Sequence, residues 1–181
     1  MSAADSERPL RTEFNSIGVA LSKVLLGWPA LATSASASAL AFFNASLLGS
    51  LSSASLALAA AAVAAWFASV PAEQIFTSVV VLGEIRRGIE RIARRDKPQA
   101  DTLERWYASM RHRLGSRVLP VDEPVMMMWS RISVPDPLPA YDGLIAATAL
   151  VHDMTVATRN TADFRRVGVT AIDPWSEKRP A

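Results

Sequence analysis

The stretch Pro139–Phe164, P-A-Y-D-G-L-I-A-A-T-A-L-V-H-D-M-T-V-A-T-R-N-T-A-D-F, decides how the rest of the chain is read. Asp142-Gly143 opens a helix, Leu144 to His152 is apolar nearly all round, and Thr155 to Thr158 is extended. Thr158-Arg159-Asn160-Thr161 then breaks off into a loop that carries Asp163. A helix apolar on every face belongs in an interior. If the strand that follows lies beside it, Asp142 and the Asn160–Asp163 turn arrive at the same end of a sheet. Carboxylates collected at the C-terminal edge of a parallel sheet make a cation site. The plainer alternative stays open: Asp142 as an N-cap and Asp163 as a turn residue.

Working backwards, Val134-Pro-Asp-Pro-Leu-Pro139 is a stiff loop that delivers the chain to Asp142. Before it, Asp122-Glu123-Pro124 starts a helix, with Asp as cap and Pro in the first turn. Val125, Met128, Trp129 and Ile132 line its inner face, and Met126–Met128 reads as core filler. Arg117-Val-Leu-Pro-Val is a short strand. Leu103, Trp106, Tyr107, Met110 and Leu114 form the stripe of a further helix that Gly115 stops. Earlier still, Val81, Ile85, Ile89 and Ile92 recur at helical spacing, predicting a helix from about Val80 to Arg94 behind a strand at Gln74–Val79. Val169 to Asp173 is the last strand. Strands alternating with helices imply an α/β fold with a mostly parallel sheet covered on both faces.

The front of the chain is different. Residues 1–23 are polar and mixed in charge, and from Val24 to Ala72 there is no charged residue. The Ala/Ser-rich run Ala39–Phe67 is long enough to span a bilayer. It is built from Ala and Ser rather than Leu, Ile and Phe and lacks flanking Lys or Arg, so a membrane role is not the expectation. The division expected is an atypical segment 1–62, a folded domain 63–175 and a polar tail 176–181. The 181 residues contain no cysteine, which removes disulfides and thiolate metal sites and fits a cytoplasmic location.

Glu84 is the third acid of interest. It stands at the margin of its helix's buried stripe, with Val80 and Gly88 at the (i, i±4) positions, where neither pairs with it. Its plainer reading is a solvated edge residue. Together with Asp142 and Asp163 it makes an oxygen-only donor set, of the kind that suits Mg²⁺ or Mn²⁺ rather than zinc. The chemistry that fits is metal-assisted phosphodiester hydrolysis. Neither His112 nor His152 has metal-ligand spacing, and there is no Gly-rich phosphate loop or G-x-S-x-G elbow. Net charge is only +2, but Arg86, Arg87, Arg91, Arg94, Arg95 and Lys97 cluster on one helix and its exit. They read as a phosphate-tracking patch or as an ordinary solvated face. Arg159, beside the site, is the better phosphate contact, with Arg87 a second RNA-binding candidate.

Ser78-Val-Val-Val-Leu-Gly-Glu84-Ile-Arg-Arg-Gly88, Tyr141-Asp142-Gly-Leu-Ile-Ala-Ala-Thr148, Thr158-Arg-Asn160-Thr-Ala-Asp163-Phe164 and Asp173-Pro-Trp175 together resemble the PIN-domain ribonucleases, in particular the VapC-type and FitB-like toxins of toxin–antitoxin pairs. The resemblance covers about Val63 to Trp175. It implies a three-layer α/β/α sandwich, Mg²⁺-dependent endoribonuclease activity on RNA, a homodimer and a cognate antitoxin. Glu84 and Asp142 match the family's second and third acidic positions, and the fourth falls at Asn160 or Asp163. Such proteins begin with a hydrophobic strand ending in an aspartate that is a principal metal ligand. Here that region is Phe43-Asn-Ala-Ser-Leu-Leu-Gly-Ser-Leu, without an acid, so the first strand is altered or missing. An out-of-frame translation joined to a genuine domain near Val63 would account for this, a hypothesis that the gene's nucleotide sequence would test. Two rivals remain: a non-catalytic module that dimerises and binds an antitoxin, and a domain tethered to a membrane by residues 39–67.

Overall fold

A computed structural model of the chain describes residues 62–175. What was expected of residues 1–61 and of the tail after Trp175, including the altered strand and most of the 39–67 tether, lies outside the described residues. Among the described residues no helix is long and apolar enough to cross a membrane.

Residues 62–69 are helical and set Val63 into the core. After a 3-10 turn at Ala72–Gln74 comes β1 (Thr77–Ser78), then α1 (Val79–Ala93). Ser78 ends the strand and caps the helix, its hydroxyl accepting from the Val80 N–H at 3.2 Å. α1 buries Val81, Ile85 and Ile89 of the stripe the spacing predicts, with Leu82 added and Ile92 only partly buried. α2 (Lys97–Leu114) starts at Asp96, whose carboxylate accepts from Gln99 N–H, and ends at Gly115 with φ of 54°. Trp106 and Tyr107, expected in its buried stripe, are only partly buried.

β2 (Val118–Leu119) leads to α3 (Glu123–Ile132), capped by Asp122 as expected. α4 (Ala140–Val151) packs along α3 and buries every residue from Ile145 to Ala149, confirming it as an interior helix. β3 (Val156–Ala157), α5 (Thr161–Arg166) and β4 (Ala171–Ile172) finish the described chain.

Among the described residues the strands form two parallel pairs, β1 with β2 and β3 with β4. Both residues of β1 and of β3 are buried, as strands covered on both faces must be. α1 packs on both α2 and α4, tying the two pairs into one core.

Several expectations need correction. The helix carrying Asp142 begins at Ala140, so Asp142 sits within its first turn instead of opening it, and Pro139 occupies the cap position with no side-chain cap bond. Asp163 belongs to helix α5, not to a loop: Asn160 is the residue before that helix. Met126 and Met127 are exposed, 42% and 55%, so they are not core filler. Arg86 is not a free phosphate contact. Its guanidinium donates to Glu104 on α2 and to Glu90 at 2.8 Å. These two carboxylates hold the Arg86 pKa above its ordinary value, Glu104 contributing most. Lys97 pairs with Asp101 at 3.4 Å.

Candidate active site

Chain direction decides which side chains meet. α1 follows β1 with no intervening loop, so its first turns rise from the C-terminal end of the strand. α4 precedes β3 through a tight turn and must run back along it, which puts the first turn of α4 at the C-terminal end of β3. The Thr158–Asn160 segment leaves β3, and Asp173 leaves β4, at the C-terminal ends of those strands. Glu84 thus stands beyond the C-terminal end of β1, and Asp142, Asn160, Asp163 and Asp173 stand at the C-terminal ends of β3 and β4.

Each is held by local structure. Glu84 lies in the second turn of α1 and is half-buried, flanked by exposed Gly83 and buried Ile85. Asp142 is half-buried in the first turn of α4, where unpaired helix N–H groups favour negative charge. Next to it Gly143 is buried under Trp129: a Cβ at this position would stand 3.0 Å from Trp129 Nε1 and 3.2 Å from Cδ1. Only glycine lets the indole close over the helix start. The strand–helix turn is set by Thr158, 1% exposed, whose hydroxyl accepts from the Asn160 N–H at 3.1 Å. The Asn160 amide in turn donates to Asp163 Oδ2 at 2.7 Å, so these two residues act as one unit. Asp173 Oδ1 accepts from the Trp175 N–H at 2.9 Å.

The cationic candidates differ in what they face. Arg87 and Arg159 are exposed, and among the described residues neither is paired with a carboxylate. Arg165 and Arg166 are otherwise engaged. Arg165 donates to the Ala171 carbonyl at 2.8 Å, and Arg166 pairs with Asp136. Thr158 and Asp173 stand in the motifs quoted from the sequence but were given no role of their own there. The T-x-N spacing of a hydroxyl accepting two residues on was the available signal for Thr158.

As a cation site the set fits in chemistry and falls short in number. Its donors are oxygens, the type hard divalent ions take. Among the described residues, however, no three His, Cys, Asp or Glu side chains stand close enough to hold an ion.

A family model described as PIN domain matches residues 56–169, more than half the chain. The chain belongs to the PIN-domain family. Toxin FitB of Neisseria gonorrhoeae is 33% identical over 120 residues, covering 64% of this chain and 86% of that protein. VapC ribonuclease Y4jK of Sinorhizobium fredii is 29% identical over 119 residues, covering 63% and 84%. Two solved structures, FitAcB from Neisseria gonorrhoeae and FitAB bound to an IR36 DNA fragment, each share 33% identity. Their TM-scores are 0.58 and 0.59, with 63% and 65% of this chain and 85% of each neighbour covered. The helix-flanked parallel strands are thus those of a PIN-like α/β/α sandwich, as the motifs around Glu84 and Asp142 implied. Divalent-metal nuclease chemistry is general to this family.

Proposed function

We propose that this PIN-domain protein is the toxin of a toxin–antitoxin pair and hydrolyses RNA phosphodiesters with Mg²⁺, Mn²⁺ serving as an alternative ion. The observation that carries the reading is the family membership, with a relative named as a toxin and another named as a ribonuclease. The placement of Glu84 after β1, and of Asp142 and the Asn160–Asp163 unit at the C-terminal end of β3, supports it. Those four residues would hold the cation, which when bound supplies a polarised water and charge neutralisation at the phosphate. Asp142 contributes its carboxylate from a helix N-terminus. Asn160 fixes the orientation of Asp163 through its amide. Arg159 and Arg87 bind the phosphate backbone, Arg159 from the site's rim and Arg87 from α1.

The partners in this reading are RNA, a cognate antitoxin and a second copy of the chain. FitB occurs in its solved structures as FitAcB and FitAB, which supports a dedicated protein partner for this chain as well. The reading places residues 63–175 as the working domain and the chain in the cytoplasm. Activity is impaired, because no acid stands between Val24 and Ala72 to supply the first ligand. A second reading, a non-catalytic module that keeps dimer and antitoxin binding, draws on the same missing acid and on the lack of a three-carboxylate cluster among the described residues.

Calorimetry separates the two. The catalytic reading expects Mn²⁺ and Mg²⁺ to bind the full chain and to bind Glu84→Gln and Asp142→Asn more weakly. Unchanged affinity in both variants removes the site assignment, and no binding to the parent chain favours the non-catalytic module.

A further inference from the structure

One aromatic ring beside the candidate site has no part in the chemistry above. Tyr141 is 48% exposed, although it immediately precedes half-buried Asp142 in the first turn of α4. The inner side of that turn is already filled, since Trp129 and Leu138 close over Gly143. Position 141, about 100° round the helix from Asp142, is left on the outer rim. The helix start has no need of an aromatic there: Asp142 places a negative charge in its first turn, and a ring in water adds nothing to that. A large apolar face held in solvent beside Asp142 suits a ligand with a flat face of its own.

The surroundings say which ligand. Arg159, exposed at the exit of β3, shares that sheet edge with Tyr141. On α1, exposed Gly83 lies next to Glu84, and a Cβ there would meet nothing within 4 Å. Exposed Val79 and Arg87 stand one turn to either side of it, so this strip of α1 is open to solvent and ends at a cation. An exposed aromatic ring and exposed guanidinium groups match a nucleic acid strand: base on ring, phosphates on arginines.

We propose that Tyr141 is a substrate-binding residue that stacks on an unpaired nucleobase and thereby fixes the register of the RNA strand across Glu84 and Asp142. The proposal rests on the ribonuclease reading and deepens it. A base engaged in a duplex has no free face to offer, so Tyr141 confers a preference for single-stranded RNA. The phosphate next to the stacked base is held by Arg159.

The test uses the full chain carrying Asp142→Asn, so that cleavage does not interfere, and a dye-labelled single-stranded RNA oligonucleotide with its duplex form as the control. Adding Tyr141→Ala should weaken single-strand binding about tenfold, the size expected of one lost base–aromatic stack. Duplex binding should stay unchanged. Tyr141→Phe and Tyr141→Trp should restore single-strand binding, since the ring and not the hydroxyl does the stacking; their recovery also shows that position 141 tolerates change without loss of fold. Equal single-strand affinity with and without the ring overturns the proposal while leaving the ribonuclease reading standing. So does a loss of equal size on duplex RNA. A Tyr141→Ala chain with unchanged RNA affinity but altered size in gel filtration would assign the ring to a protein interface instead. If the parent chain binds neither RNA, the ribonuclease reading falls and this proposal falls with it.

Discussion

Two glycines near the site, Gly83 and Gly143, carry opposite consequences for the same substitution. In a helix interior, alanine is favoured over glycine by roughly 0.5–1 kcal/mol. At Gly83 nothing lies within 4 Å of an added Cβ, so only that gain applies. Gly83→Ala should stabilise the fold by about that amount in urea denaturation. At Gly143 the methyl would meet the Trp129 ring at 3.0 and 3.2 Å, with Leu138 at 3.8 Å behind it. Overpacking of this kind costs roughly 1–3 kcal/mol, which outweighs the propensity gain. Gly143→Ala should therefore lower the denaturation midpoint and, by shifting the turn that carries Asp142, weaken Mn²⁺ binding as well. Stability equal to the parent would mean that Trp129 moves aside freely. The placement of the two acids followed the pattern in part: Glu84 is half-buried at the margin of an apolar stripe, while Asp142, read as opening an all-apolar helix, lies within its first turn. Tyr141 was not legible, because pattern alone cannot distinguish a tyrosine facing solvent from one packed inward. Arg86 was left open between a phosphate contact and a solvated face, and its ion pairs stayed hidden for a related reason. Its main partner, Glu104, lies on a different helix, beyond the reach of any (i, i+4) rule.

Helix ends show how local chemistry sets the elements. α4 and α5 finish in the same way. Met154 N–H donates to Ala149 O and Asp153 N–H to Leu150 O after α4; Val169 N–H donates to Phe164 O and Gly168 N–H to Arg165 O after α5. This paired pattern requires a left-handed residue just past the helix. Gly168 fills the second position with φ of 86°, Asp153 the first with φ of 51°. An L-residue costs roughly 1–2 kcal/mol there, aspartate less than most. Gly168→Ala should destabilise by about 1 kcal/mol, and Asp153→Gly should stabilise by a smaller amount; thermal melts of the two variants would reveal the opposite signs. If Gly168→Ala melts with the parent, the turn has another way to close. The helices were readable because each has a stripe, a cap and a stop. Strands were readable only in place, not in length: runs of four to six residues at 74–79, 117–121, 155–158 and 169–173 yield two-residue ladders. A strand buried on both faces is a plain apolar run with no alternation to mark its ends. Asp163 was read as a loop residue because Thr-x-Asn turn chemistry and a short helix start use the same polar residues.

At the scale of the molecule, the two strand pairs bear on the missing acid. Thr77 N–H is directed at Arg117 O, while Val156 and Thr158 N–H are directed at Thr170 O and Ile172 O. Peptide directions alternate along a strand, so the Ser78 and Ala157 groups face away from β2 and β4 respectively. Both strands are parallel to their partners and buried on both faces. A strand added parallel to β1 on the side away from β2 would thus be addressed by its peptides, and its C-terminal end would emerge beside the start of α1, the helix that carries Glu84. That is where an added aspartate would complete three carboxylates, the number that the described residues do not assemble. The sequence from Val24 to Ala72 provides no such acid. Mg²⁺ gives up its waters reluctantly and demands near-ideal octahedral geometry, so a site short of one ligand holds it loosely. Displacement of a reacting group by about 1 Å already costs about a hundredfold in rate. A chain with an apolar, β-branched strand ending in aspartate placed ahead of Val63 should bind Mn²⁺ more tightly than the parent and cleave RNA under Mg²⁺ about a hundredfold faster. The same strand ending in asparagine is the decisive control. It should raise the melting temperature as much, since it fills the same place, but leave the rate near the parent's. Equal cleavage by the parent and the aspartate chain would show that the parent already has its full set of ligands. Equal gains from aspartate and asparagine would mean that folding, not the carboxylate, had been limiting.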